Sequence, residues 1–583
     1  MRSSLVAFAS LAVVALFACA SETTEEDDGA AGGEATGEDA YTTDGKCDGL
    51  PKLKNIKTPP GVCVGVVANG FVFSRGIAQL PSGDFVMAEM GGWAQDKGGV
   101  WLLRRMPDKT FSKTKIAKLI DKPSGVAVGP DGLPYIGTPT GIFRLDPYEQ
   151  NADSVPKTGP FRDVTRPYKQ PRFKLVVSDT PGNGRHPLSK FAFDKRDPSI
   201  LYVNVGSATD NCEKDSRTAP PAGFPYPCPE AEGNGAHGVI RKYKLGGPER
   251  TSQGYTIMAR GLRNSMALVV HPTSNALIQA ENSRDTINKY EASLTAQEGD
   301  LPHEELNVIV EGSNYGWPYC YDNGSPTPEY RGRVDCSRYT NPALLLPGHA
   351  SPLGMAFYQG DMFPAAYKNN LIVAYHGYRA LGHRLVMVPV DANGVPGGGE
   401  PLDIIRGWEK NDAASDPLGA PVDVLVAKDG SIYVTEDKNG DVLRVFYDPS
   451  QGNGQPMRAE PPRQPVVDPQ EAARCSALAG RQDSFSRVER DVIDTQCVSC
   501  HGVGPGYAGG LRLDKCDAIG NAKRLTAART GGRAPYVQPR NLNSELVLRM
   551  KGQGYPQMPA GGLSPEQLTE VESWINEGAP IPQ

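Results

Sequence analysis

Val422-Asp423-Val424-Leu425-Val426-Ala427-Lys428-Asp429-Gly430-Ser431-Ile432-Tyr433-Val434 reads as a short apolar strand, a tight turn and a second apolar strand. The same pattern recurs upstream. Gly76-Ile77-Ala78-Gln79-Leu80-Pro81-Ser82-Gly83-Asp84-Phe85-Val86-Met87 is one copy, and Gly125-Val126-Ala127-Val128-Gly129-Pro130-Asp131-Gly132 opens another. Phe191-Ala192-Phe193-Asp194 pairs with Ile200-Leu201-Tyr202-Val203, and Ala267-Leu268-Val269-Val270-His271-Pro272 with Ala276-Leu277-Ile278. A looser copy joins Gly354-Met355-Ala356-Phe357-Tyr358 to Leu371-Ile372-Val373-Ala374. Six copies spaced about 50 to 95 residues apart are too distant for a tight solenoid and suit four-stranded blades with long insertions. Residues 47–450 are therefore expected to form an all-β, six-bladed β-propeller with its site in the axial mouth. The alternative, a two-sheet sandwich, is short for about four hundred residues.

Near the C-terminus stands Cys497-Val498-Ser499-Cys500-His501, the C-x-x-C-H attachment site of a c-type haem. Cys497 and Cys500 would form the two thioethers, and His501 would bind the iron. A zinc site would need two further ligands at matching spacing, and the neighbouring sequence supplies none. Met558, in the Pro/Gly-rich loop Tyr555-Pro556-Gln557-Met558-Pro559-Ala560-Gly561-Gly562, is the expected sixth iron ligand. Met550 is its rival, but it falls in the helical run Ser544–Met550, where methionine more often fills a core. Ser564-Pro565-Glu566-Gln567 then caps a closing helix that carries Leu568, Val571, Trp574 and Ile575 on one face. Residues 475–583 thus resemble a small all-α class I cytochrome c domain, joined to the propeller by a Pro-rich linker at 451–474.

Haem attachment of this kind takes place outside the cytoplasm. Arg2 and the apolar run Leu5–Ala18 form an export signal too short for a comfortable membrane span. Leu16-Phe17-Ala18-Cys19 resembles a bacterial lipobox, so residues 1–18 would be removed and Cys19 acylated. Residues 19–46, rich in Glu, Asp, Gly, Ala and Thr, read as an acidic disordered tether. The expected location is the periplasm or cell surface, on a bacterial membrane such as the outer membrane. Of the eleven cysteines, eight remain once Cys19, Cys497 and Cys500 are set aside, and an even number in an exported chain predicts disulfides. Proximity pairs Cys47 with Cys63, Cys212 with Cys228, Cys320 with Cys336 and Cys475 with Cys516. A net charge of −6 with no basic stretch gives no footprint for nucleic acid.

Several stretches of the large domain look like the soluble quinoprotein glucose/sorbosone dehydrogenase family. They are Arg260-Gly261-Leu262-Arg263-Asn264-Ser265, Glu281-Asn282-Ser283-Arg284-Asp285, Glu304-Glu305-Leu306-Asn307, Gly312-Ser313-Asn314-Tyr315-Gly316-Trp317-Pro318-Tyr319-Cys320, Ser351–Tyr358 and Tyr375-His376-Gly377. The resemblance implies a six-bladed propeller that holds pyrroloquinoline quinone (PQQ) and a calcium ion in its mouth and oxidises an aldose or related sugar. His186, in Gly184-Arg185-His186-Pro187, matches the catalytic histidine, and its imidazole suits a general base. Arg263 and Asn264 match the quinone-contacting pair, and Ser283 and Arg284 would offer backbone carbonyls to calcium. Two departures stand out. Gly419-Ala420-Pro421 lacks an arginine that relatives carry there, and His376-Gly377 falls where the glucose-type enzymes carry a lysine, as in the sorbosone-like branch.

Together these readings describe a membrane-anchored quinohaemoprotein dehydrogenase. Its partners would be a small sugar-like substrate, a downstream respiratory acceptor and a membrane held through the lipid. A different class remains open: a non-catalytic propeller that binds a ligand or glycan and carries an electron-transfer cytochrome.

Overall fold

A computed structural model describes residues 42–582 apart from 152–169, 214–222, 292–293, 295–298, 378–380, 398, 409–416, 460–468, 498–510, 512, 530–533, 556–557 and 559–562. Cys19, Cys500 and His501 lie outside the described residues. The chain divides into a large unit ending at Arg463 and a small C-terminal unit beginning at Gln464.

The large unit is a six-bladed propeller, and each repeat read from the sequence is the inner strand pair of one blade. Blade 1 runs Ser74–Gln79, Phe85–Glu89, Gly98–Arg105, Phe111–Ile120. Blades 2, 3 and 4 begin with the inner strands Val126–Val128, Phe191–Phe193 and Ala267–Val270, and blade 5 with Pro352–Phe357. In blade 6 the chain contributes Pro421–Val426, Ile432–Glu436 and Asp441–Tyr447. Its next strand, Val62–Ala68, comes from the N-terminus, with Val62 opposite Tyr447. That pairing closes the ring by joining the N-terminal strand to the last blade.

Why the inner strands are apolar at nearly every position follows from how the blades stack. Ile77, Phe85 and Met87 pack against blade 6 beside Tyr433 and Val442, whereas Ala78, Val86 and Ala88 pack against blade 2 beside Val126, Ile136 and Phe143. Both faces of the sheet are therefore covered. Comparable apolar clusters join blades 2 and 3, 3 and 4, 4 and 5, and 5 and 6. Each interface stabilises the ring by burying aliphatic and aromatic surface, at about 25 cal/mol for each Å² removed from water.

The boundaries differ slightly from those read in the sequence. The expected tether gives way at Thr43, where Thr43–Cys47 forms a hairpin with Leu50–Leu53 on blade 6. The expected linker still belongs to the propeller at Met457–Arg458, which pairs with Leu402 and Asp403 of blade 5. All four disulfides join the cysteines that proximity pairs.

The C-terminal unit has its own core, in which Phe485, Val488, Val492, Val547, Val571, Trp574 and Ile575 are buried together. Pro469–Ala479, Ser484–Val488, Ala518–Thr526, Glu545–Met550 and Pro565–Asn576 are α-helices, and Glu489–Cys497 is wound more widely. The capping box at Ser564 and Gln567 forms as its residue types require. Cys497 ends the wide helix, half-buried against the core. Met550 is a core residue at 4% exposure. Met558 is half-buried, its backbone N–H donating to the Arg549 carbonyl at 2.9 Å. Among the described residues no helix is long and apolar enough to cross a membrane.

Candidate functional site

Hydrogen bonds run from blade to blade around one end of the ring. Gly76 N donates to Ser124 O, and Gly125 N to Ser189 O. Ser207 N donates to Arg263 O at 2.8 Å, and Ser351 N to Glu304 Oε1 at 3.0 Å. His376 Nε2 lies 2.9 Å from Asp437 Oδ1, and Ser74 Oγ donates to Glu436 O at 3.0 Å, completing the circuit. Below this level the axis is shut by Met90, Leu188, Met266, Leu353 and Val422. Lys190 and Asp423, 2.7 Å apart, form an ion pair between the opposite blades 3 and 6. The far ends of the inner strands surround a second hollow, lined by Val269, Phe357 and Val424 together with Lys195, Asp361 and Lys428.

His186 sits at the first end, 2% exposed, on the loop entering blade 3. Its Nδ1 lies 2.7 Å from Ser207 Oγ and 3.1 Å from Ser207 O. The Ser207 hydroxyl donates to Thr209 O at 2.6 Å, and a carbonyl can only accept. Nδ1 must therefore carry the proton, which leaves the lone pair of neutral His186 on Nε2. Gly206 permits this approach, since a Cβ there would stand 2.5 Å from His186 Cβ and 3.1 Å from Asn264 Oδ1.

Arg263 is 1% exposed and held on several sides. It donates to Asp210 Oδ1 from Nε at 3.0 Å, and Nη2 lies 2.8 Å from the same oxygen. It also donates to the carbonyls of Asn282 at 2.9 Å and Ser283 at 2.8 Å, and to Asp285 at 3.2 Å. Arg284 turns its guanidinium to Glu329, at 2.7 and 2.8 Å, so its charge is balanced away from its own carbonyl. Glu304 accepts from the Ser283 and Ser351 amides, and burial pushes its carboxyl up to about 8. Trp317 Nε1 donates to Asp210 O at 2.9 Å. Gly261, at φ +69°, makes room for the segment leading to that indole: a Cβ there would meet Asn314 Oδ1 at 2.1 Å and Gly316 N at 2.5 Å.

Across the mouth, blades 1, 5 and 6 bring Arg75, His376 and Asp437 together. Arg75 is 1% exposed, yet none of its three guanidinium nitrogens makes a hydrogen bond, and its ion pair with Asp437 Oδ2 is stretched to 3.5 Å. His376 Nδ1 is likewise buried without a hydrogen bond. Burying the Arg75 donors without partners is costly, so the arrangement is suited to an anionic group that completes it.

A family model described as TrAA12-like matches residues 56–447. The chain belongs to the TrAA12-like family. Among curated relatives, the TrAA12-like propeller aligns with a pyrroloquinoline quinone-dependent sugar dehydrogenase of Hypocrea jecorina, 23% identical over 437 residues, covering 67% of this chain and 89% of that protein. The aldose sugar dehydrogenase YliI of Escherichia coli is 24% identical over 368 residues, covering 60% of this chain and 78% of that one. An uncharacterised protein of Borreliella burgdorferi is 29% identical over 198 residues, 33% of this chain and 49% of its own length. In solved structures the fold matches a Trichoderma reesei family AA12 enzyme in its iodide form, with TM-score 0.52, 19% identity, and coverage of 70% of this chain and 100% of that one. It also matches the holo PQQ domain of pyranose dehydrogenase from Coprinopsis cinerea, with TM-score 0.52, 21% identity, and coverage of 69% and 99%.

In this TrAA12-like propeller the five propeller positions singled out from sequence, His186, Arg263, Asn264, Ser283 and Arg284, all lie at the mouth. Sequence reading missed Arg75, Asp437, Ser207 and Asp210. A usable signal existed for Arg75, since Ser74-Arg75 places a cation directly before the apolar run of a blade's first strand, where a side chain faces the axis. The Ala420 backbone is held beside this group. Ala420 N donates to Glu436 Oε1 at 2.7 Å, Asp437 N donates to Ala420 O at 3.3 Å, and Arg75 faces Asp437.

Proposed function

We propose that this chain is a lipid-anchored quinohaemoprotein that oxidises an aldose or related sugar alcohol or aldehyde in its propeller and passes the electrons to its own c-type haem. The observation that carries this reading is the mouth itself. A histidine whose neutral form carries its lone pair on Nε2 and the buried cation Arg75, whose guanidinium makes no hydrogen bond, belong to one ring of loops, as a base and an anion site for a quinone bearing carboxylates. Arg75, Arg263, Asn264 and His376 would hold PQQ. The Ser283 carbonyl keeps a second lone pair beside its bond from Arg263, and Glu329 neutralises Arg284, so the two carbonyls suit a calcium ion. When bound, PQQ supplies the electrophilic carbonyl that accepts hydride.

The residues of the chain do the rest. His186 Nε2 takes the proton of the sugar C1 hydroxyl as hydride leaves C1. Arg263, bonded to Asp210, Asp285 and two carbonyls, locks the Asn282–Asp285 segment and Asp210 in place, so this wall of the site needs no reorganisation during reaction. The apolar floor and the Lys190–Asp423 pair keep bulk water from entering along the axis.

Haem attachment at Cys497 and Cys500, with iron held by His501 and Met558, and acylation at Cys19 on a bacterial envelope complete the proposal. The deciding experiment adds PQQ and calcium to the haem-loaded protein and then offers aldoses. The haem Soret and α bands should shift to the reduced form with sugar and stay oxidised without it. Failure of PQQ to bind, with no sugar able to reduce the haem, would leave a ligand-binding propeller that carries a cytochrome. For the iron ligand, Met558→Ala is expected to retain covalent haem and lower its potential in a spectroelectrochemical titration. An unchanged potential rejects Met558.

A further inference from the structure

His186 takes up one proton in every turnover and must lose it again, yet it is almost wholly buried. Beside it lies a small cavity of about 10 Å³ between blades 2 and 3, walled by Pro139, Thr180, Asn183, His186, Asn204 and a second imidazole, His237. Thr180, Asn183 and Asn204 make its walls polar, and the open space admits about one water molecule. His237 Nδ1 lies 3.0 Å from the carbonyl of Gly206, the residue before the Ser207 that pins His186. A carbonyl only accepts, so Nδ1 of His237 also carries the proton and its Nε2 also carries the lone pair. His237 is half-buried, and residues 232–235 just before it are exposed.

We propose that His237 is the second station of a proton exit, receiving through water in this cavity the proton that His186 takes from the sugar hydroxyl and releasing it to solvent. The proposal rests on the dehydrogenase reading of the mouth. The balance is simple: the sugar O–H bond breaks, His186 Nε2 gains the proton, and water carries it to His237 Nε2. A buffer base then takes it, restoring both neutral imidazoles; the C1–H bond is lost as hydride to bound PQQ, and that hydrogen would reach solvent as a second proton when the two electrons are passed on. Burial lowers the basicity of His237, which keeps it neutral and ready to accept near neutral pH.

Two measurements test this. In the cofactor-free protein, ¹⁵N spectra of the imidazoles should show both His186 and His237 protonated on Nδ1. Either one protonated on Nε2 alone overturns the relay. With PQQ and calcium bound, His237→Gln should lower kcat on the order of tenfold in dilute buffer with KM unchanged, and small imidazole buffers should restore it. The wild type should show no such dependence on buffer. A loss that buffer does not restore, or no loss at all, overturns the relay while leaving the dehydrogenase in place. If the wild type oxidises no sugar, the dehydrogenase reading falls and takes the relay with it.

Discussion

His186→Gln lowers kcat for sugar oxidation by about 10²–10⁴-fold, the usual contribution of a positioned general base, while PQQ binding is retained. Glutamine can still bond to Ser207 but offers no basic nitrogen of comparable strength where the Nε2 lone pair stood. The loss should therefore appear in kcat and kcat/KM alike, the mark of an interaction made in the transition state. Stopped-flow reduction of the quinone by saturating sugar isolates this step from electron transfer to haem. A variant that reduces the quinone at the wild-type rate would remove His186 from the chemistry and leave it a packing residue beside Gly206 and Asn264.

Arg75→Met weakens PQQ binding by about 10²-fold or more, as expected for removing one partner of a buried charge pair. In the cofactor-free protein the same change lowers Tm as well. Asp437 Oδ1 keeps its contact with His376, but Oδ2 makes no hydrogen bond and loses the guanidinium beside it, so a buried carboxylate is left with its charge uncompensated. The expected result is a Tm below that of the wild type without PQQ, together with loss of the Tm rise that PQQ gives the wild type. A purely structural arginine would lower Tm in the same way but leave PQQ affinity and the PQQ-induced Tm rise unchanged.

How much of this could be read beforehand depends on the range of the interactions. Strand–turn–strand repeats are local, since Asp429, Gly430 and Ser431 make a turn from their own bonds, with the Asp429 carboxylate accepting from Ser431. The disulfide pairs were legible for the same reason. Each of the three propeller bridges spans 16 residues, a loop short enough for neighbours to find each other. Met550 likewise announced itself as a core residue by its helical setting. The unusual winding of Glu489–Cys497 was not legible, because nothing in Glu489–Cys497 distinguishes it from an ordinary helix.

The site divides along the same line. Arg263, Asn264, Ser283 and Arg284 stand in a short interval of one blade, and their resemblance to a known family marked them together. Arg75 and Asp437 are brought face to face because Val62–Ala68 closes blade 6 and so seats blade 1 beside it; the bond from Ser74 to Glu436 spans 362 residues of sequence. The sequence by itself determined six blades, four disulfide pairs and the presence of a C-x-x-C-H motif, all of which depend on local residue types. Tertiary structure alone decided that a buried arginine from blade 1 faces Asp437 of blade 6, and that Ser207 fixes which nitrogen of neutral His186 carries the proton. The physical reason is that ring closure and hydrogen-bond direction are properties of residues meeting in space, and no pattern along the chain encodes them.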